Sequence, residues 1–159
     1  MRRLRSILRL IIKFFNISQT QRVLLIEASV FLLVARLLLV FVPFRYIVRA
    51  MGGFLPPTPK SHIILRRSPS EDIELAREIS CAIKRAVRYV PFRAVCLPQA
   101  MAARRMLALR GVPSIIHFGA TRNLAEGTPL ETHAWLSAQG VEVTGYPLAY
   151  DCTEIACVA

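Results

Sequence analysis

Two side chains in this sequence have the type and the surroundings that nucleophilic catalysis requires. Cys96 stands at the start of a predicted helix, 97–109, where unpaired backbone N–H groups and the helix dipole stabilise a thiolate. The same N–H groups can stabilise the charge that develops on an attacked carbonyl. His133 lies in a predicted strand, 130–138, with Trp135 on the same face, and a strand would hold its imidazole rigidly for proton transfer. The pair predicts thiolate attack on a carbonyl carbon, with Cys96 as nucleophile and His133 as base.

The group that would orient the imidazole is marked less clearly. If the turn at 139–140 has two residues, Thr144 lies diagonal to His133 on the same face of the next strand. A register slip of one residue would present Gly145 instead, which has no side chain. Thr144 is the first choice for the third member and Asp151 the second. A backbone carbonyl or a water molecule is a further alternative.

The remaining cysteines and histidines have plainer interpretations. Cys81 lies within a predicted helix, on or beside its apolar stripe, and is expected to be structural. His117 competes with His133 for the role of base, but nothing around it in the sequence suggests one. Cys152 and Cys157 could form a bridge, yet nothing indicates an oxidising compartment. No metal-ligand spacing and no P-loop occurs, so we expect neither a metal nor a cofactor.

The elements that must position Cys96 and His133 form a predicted domain, 68–159. Ser68 is suited to cap its first helix, and Pro69 is suited to the first helical position. The helix 97–109 follows, and the pattern then changes to alternating strands at 114–121, 130–138 and from 141 onward. Two helices followed by an antiparallel meander predict the α+β class, with helices packed on an antiparallel sheet.

The N-terminal third of the chain is a separate compositional block. Residues 1–53 are rich in Leu, Ile, Val and Phe and form an apolar helical extension, with helices predicted at 4–15, 19–41 and 44–51. Ser18 is suited to cap the second of these helices, and Pro43 to end it. The proline-rich segment 54–67 is a predicted linker with a short strand at 62–65.

The segment 23–44 has about the length of a membrane span. Glu27 and Arg36 lie inside it, however, and a central arginine costs about 2.5–3.5 kcal/mol on the insertion scale. We therefore favour a helix packed against the domain or a partner over a helix that spans the bilayer. Because it is apolar on most of its faces, it is also a candidate docking surface.

Charge and composition restrict the partners and the compartment. The chain has 159 residues, 54% of them hydrophobic, and a formal charge of +11, which favours an acidic partner. No nucleic-acid-binding signature is present, so nucleic acid is not expected. The start Met-Arg-Arg resembles a signal peptide, but basic residues interrupt the apolar stretch after it and no cleavage site follows. We expect a cytoplasmic protein.

Several motifs, taken together, resemble the lasso-peptide leader peptidases, also called microcin-processing proteins. These motifs are Val42-Pro43-Phe44-Arg45, Val90-Pro91-Phe92-Arg93, Cys96-Leu97-Pro98-Gln99-Ala100, Arg110-Gly111-Val112-Pro113, Gly119 and His133-Ala134-Trp135. The resemblance covers nearly the whole chain and implies a fold similar to transglutaminases and papain-like peptidases. It implies a triad of Cys96, His133 and an Asp on the next strand, but the Asp position falls on Gly145.

The resemblance also implies a function and partners. It implies a cysteine endopeptidase that removes the leader from a ribosomally made lasso-peptide precursor through an acyl-enzyme. The implied partners are the leader, a separate leader-binding protein and an ATP-dependent, asparagine-synthetase-like lasso cyclase. The alternative is a catalytically weak or inactive peptidase-like scaffold that tethers the leader-binding protein and the cyclase. A membrane-associated binding module is a third hypothesis.

Overall fold

The structure is a computed structural model that describes residues 18–56, 69–121 and 131–159. Its helices are α1 (Gln19–Phe41), α2 (Phe44–Ala50), α3 (Pro69–Ala86) and α4 (Cys96–Ala108), and its strands are β1 (Ile115–Thr121), β2 (Glu131–Ala138), β3 (Val141–Thr144) and β4 (Cys152–Val158). A 3-10 turn, Leu148–Asp151, precedes β4. The predicted helix 4–15, the cap at Ser68 and the strand 62–65 lie outside the described residues.

The strands form one antiparallel sheet in the order β3-β2-β1-β4. In the centre, β1 pairs with β2 from Ile115 opposite Ser137 to Thr121 opposite Glu131. On its other edge β1 pairs with β4. Helices α3 and α4 pack on one face of this sheet, which confirms the predicted α+β class.

The hydrophobic core lies between the helices and that face of the sheet. Both the helices and the sheet contribute large buried side chains to it. These include Leu32 of α1, Ile79 and Ile83 of α3, Met106 and Leu107 of α4, Ile116 of β1 and Leu136 of β2. Buried residues recur at intervals of four along α1, at Leu24, Ala28 and Leu32, and the buried strand residues alternate with residues of the opposite face. The core therefore joins α1 directly to the helices that carry the candidate site.

The first helix has the predicted bounds because both ends carry local signals. Ser18 Oγ accepts a hydrogen bond from Gln21 N at 3.3 Å, and Pro43 follows the last turn. Inside α1, Glu27 forms an ion pair with Arg110 at 2.6 Å, which ties the helix to the end of α4. By length and composition, α1 is the one helix in the described part of the chain that could cross a membrane, and this is weak evidence. The predicted boundaries 1–53, 54–67 and 68–159 stay predictions.

Two features of the sheet differ from the sequence prediction. A bulge between Leu136 and Ser137 shifts the register, so that Thr144 pairs with Leu136 and β3 ends there. The regular two-residue hairpin register that we predicted was therefore wrong beyond Ser137. The fourth strand was not predicted at all, because β4 pairs with β1 and not with its neighbour in sequence, β3.

Candidate active site

Cys96 is the first residue of α4, and the helix begins there without a side-chain cap. Val95 before it is extended, with φ −72° and ψ −173°, and no acidic residue lies in the first turn. Gln99 closes the turn, because its backbone N–H donates to Val95 O at 3.4 Å and its side chain donates to Ala94 O at 2.7 Å. The half-buried thiol of Cys96 is free. The thiol therefore stands at a helix N-terminus, where the helix dipole is positive, and no carboxylate lies in the first turn of that helix.

Cys96 and His133 belong to elements that pack against each other. Helix α4, which begins at Cys96, contacts β2, which carries His133. In the neighbouring strand β1, Gly119 pairs with His133.

A backbone carbonyl holds the imidazole of His133. His133 Nε2 lies 2.7 Å from Gly145 O, and since a carbonyl only accepts, Nε2 must donate its proton. A neutral ring in this orientation has its lone pair on Nδ1, and a general base accepts a proton at the nitrogen that carries the lone pair. Of the orienting groups that the sequence left open, the carbonyl is the one that contacts the ring.

Gly145 can be only a glycine in this backbone. Its φ is +86°, and a Cβ would lie 2.5 Å from the Trp135 Cβ and 2.8 Å from Ala134 O. Any side chain here would meet both a left-handed backbone and a backbone oxygen that cannot move aside cheaply. The glycine therefore allows its own carbonyl to approach His133.

Three rings form a row on one face of the sheet. Trp135 is stacked between His133, at a centroid distance of 6.2 Å and 17°, and His117, at 5.4 Å and 11°. The indole also lies over Gly119, where a Cβ would come within 2.8 Å of the Trp135 ring. Gly119 and Gly145 thus form the slot in which the indole lies, and the indole in turn limits the movement of the His133 ring.

His117 has two side-chain hydrogen-bond partners, while nothing around it in the sequence had suggested a role for it. Its Nδ1 lies 2.9 Å from Glu154 Oε1 and its Nε2 lies 2.7 Å from Ser137 Oγ. Because the carboxylate accepts from Nδ1, the neutral ring accepts at Nε2 and the Ser137 hydroxyl donates. Both partners come from neighbouring strands, β4 and β2, so the local sequence around His117 gives no sign of them.

The ring row and the helices lie on opposite faces of the sheet. His133 and Trp135 alternate along β2 with Leu136, which belongs to the core under the helices. Among the described residues, no hydrogen bond joins Cys96 Sγ to His133. That these two side chains act as a catalytic pair stays a prediction.

Neither side chain predicted as the third member forms a hydrogen bond with the His133 ring within the described ranges. Thr144 is 3% exposed, and its Oγ1 has no hydrogen-bond partner within the described ranges. Asp151 is exposed at the end of the 3-10 turn. The pKa of Tyr146, which follows Gly145, is raised to about 12. Burial of the phenol is the main cause, and the negative charge of Glu142 is the second. Which side chain is the third member of the triad stays a prediction. The group that is hydrogen-bonded to the His133 ring is the carbonyl of Gly145.

One cleft in the described part of the protein lies away from both Cys96 and His133. It has a volume of about 620 Å³ between α1 and α3 and is lined by Leu24, Glu74, Arg77 and the exposed Cys81, among others. It does not touch Cys96 or His133. Over 18–56, 69–121 and 131–159, no group of three or more His, Cys, Asp or Glu residues could hold a metal ion.

Comparison with known proteins agrees with the helix-then-sheet arrangement. The sequence profile of the transglutaminase-like superfamily matches residues 38–156, which is most of the chain. No curated protein and no solved structure matches the chain. The matched region includes α3, α4, the first three strands and most of β4, and with them Cys96 and His133. The chain belongs to the transglutaminase-like superfamily.

Proposed function

We propose that the protein is a cysteine endopeptidase that removes the leader from a lasso-peptide precursor. The observation that carries the proposal is the uncapped start of α4, where Cys96 is the first helical residue of a transglutaminase-like domain. The leader specificity rests on the sequence resemblance described above. Residues His133 and Gly145 supply the imidazole and the carbonyl that would orient it.

The proposed reaction has two steps. His133 takes the thiol proton while Cys96 Sγ attacks the carbonyl carbon of the last leader residue, and the first-turn amides of α4 stabilise the negative charge on its oxygen. The C–N bond breaks, His133 delivers a proton to the leaving amine, and the leader remains on Cys96 as a thioester. Water, deprotonated by His133, then hydrolyses the thioester and releases a leader carboxylate. No cofactor takes part.

Mass spectrometry of the products tests this function. The purified chain is mixed with the precursor and the separate leader-binding protein. We expect two fragments whose masses sum to that of the precursor plus one water. Loss of ammonia without chain cleavage would instead indicate acyl transfer at a glutamine and would overturn the peptidase assignment. Because the leader-binding protein delivers the substrate in this proposal, we expect much slower cleavage when that protein is omitted.

The cellular setting is part of the same proposal. We place the reaction in the cytoplasm, where the precursor is made, before an asparagine-synthetase-like cyclase closes the ring with ATP. The new amino terminus that cleavage creates is the nucleophile that such a ring closure needs. Nucleic acid has no part in this scheme.

A second candidate function is a scaffold with little or no activity. The observation that favours it is the third position of the triad, where a backbone carbonyl stands in place of a carboxylate. A carbonyl orients the ring but carries no full charge to stabilise an imidazolium. If Cys96→Ala leaves maturation of the lasso peptide unchanged, the scaffold is the correct function.

A further inference from the structure

The exposed side of α1 is a continuous apolar surface. We call it the α1 stripe and define it by the residues that lie opposite the buried side of the helix, which are Val23, Ile26, Val30, Leu33, Val34, Leu37, Val40 and Phe41. Each is between 43% and 77% exposed. Together they present an area on the order of 700 Å², above the roughly 300–600 Å² of the largest patch on a typical monomer.

The other side of α1 is anchored to the domain. Leu24, Ala28 and Leu32 are buried against α3 and α4, and the Glu27–Arg110 ion pair holds the middle of the helix. A bilayer-spanning α1 would have to leave these contacts and carry Glu27 into hydrocarbon. The helix can instead lie along a surface with its stripe facing outward, over a length of about 34 Å.

Charge at the edges of the stripe favours an anionic surface. Glu27 is the acidic residue of α1, and the ion pair directs it toward the domain. Arg36 is exposed beside the stripe, and Arg45 and Arg49 are exposed just beyond its end. The protein as a whole carries +11. A second copy would bring the same positive charge to the contact, whereas anionic headgroups would neutralise it.

Aromatic residues at the C-terminal end of α1 have the character of a membrane interface. Phe44, Tyr46 and Phe54 are 41–53% exposed, and the Arg45 guanidinium lies 4.7 Å from the centroid of the Tyr46 ring. Tyrosine and arginine side chains lie at the headgroup level, and the phenylalanines of an interfacial helix lie on its apolar face. Most of α1 precedes the superfamily match, which starts at residue 38.

From these observations we propose that the α1 stripe docks the protein, in the plane of the surface, onto a membrane rich in anionic lipid. Flotation of the purified full chain with lipid vesicles tests the proposal. We expect binding to vesicles of phosphatidylcholine mixed with an equal amount of phosphatidylglycerol, and much weaker binding to phosphatidylcholine alone. Equal binding to both would overturn the requirement for anionic lipid.

Surface variants identify the residues involved. The double variant Val30→Gln/Leu37→Gln should bind roughly tenfold or more weakly, because both half-exposed side chains lose their apolar contact. Arg36→Gln should bind about fivefold more weakly. The matched control is Ile155→Gln on β4, where an apolar side chain 59% exposed is replaced away from the stripe, and its binding should be unchanged.

Three outcomes would overturn the proposal. The first is no flotation with the mixed vesicles at low ionic strength. The second is flotation of Val30→Gln/Leu37→Gln equal to that of the wild type, with the same thermal unfolding. The third is a dimer by light scattering that the double variant converts to a monomer, because the stripe would then be an interface between copies. The test needs no peptidase activity, so it stands apart from the proposed function.

Discussion

Replacing Gly145 with alanine should damage both the stability of the protein and the position of His133. An alanine in the left-handed region costs about 1–2 kcal/mol. Its Cβ would also lie 2.5 Å from the Trp135 Cβ, and overpacking of this kind costs about 1–3 kcal/mol. We therefore expect Gly145→Ala to lower the free energy of unfolding by about 2–5 kcal/mol. The matched control is Gly140→Ala, with φ +76° and nothing within 4 Å, which should lose only the backbone part.

Urea unfolding followed by fluorescence measures this difference directly. Trp135 is the only tryptophan of the chain, so its emission reports on the slot between Gly119 and Gly145. Folded Gly145→Ala should also cleave precursor roughly tenfold or more slowly, because the carbonyl that holds His133 Nε2 has to move. If Gly145→Ala and Gly140→Ala lose equal stability, the close packing derived for Gly145 is refuted. If folded Gly145→Ala cleaves at the wild-type rate, the carbonyl has no orienting role.

Two further variants test the surroundings of the site. His117→Ala removes a ring stacked on Trp135 and two hydrogen bonds, so it should lower the free energy of unfolding by about 1–3 kcal/mol and change the Trp135 emission; an unchanged emission would contradict the stack. The raised pKa of Tyr146 favours the protonated phenol in the folded protein, so its stabilising contribution is complete below pH 10.0 and disappears as the pH rises toward about 12. Urea unfolding below and within that interval should show the loss in the wild type and a smaller loss in Tyr146→Phe, and equal losses would refute the shift.

Local signals allowed the helices to be predicted closely. Ser18 and Pro43 limit α1, and Pro69 begins α3, because caps and prolines act within one turn of the backbone. Cys96 was expected just before the second helix of the domain and is its first residue. The thiol at a helix start could therefore be found from sequence alone.

The contacts between distant strands could not be predicted in this way. Glu154 and Ser137 reach His117 only because β4 and β2 flank β1, and nothing near His117 in the sequence encodes that order. The bulge between Leu136 and Ser137 shifts β3 by one residue, and no glycine or proline at the bulge marks it. The contact of Gly145 O with His133 depends on that part of the sheet, so it remained one alternative among several.

The central claim is that Cys96 is the nucleophile, and the initial rate of precursor cleavage by Cys96→Ala tests it most directly. The control is Cys81→Ala, which removes the exposed thiol on α3 that lies in the cleft beside α1. With both variants folded, we predict no detectable cleavage by Cys96→Ala and the wild-type rate for Cys81→Ala. Cleavage by Cys96→Ala at the wild-type rate would contradict the account.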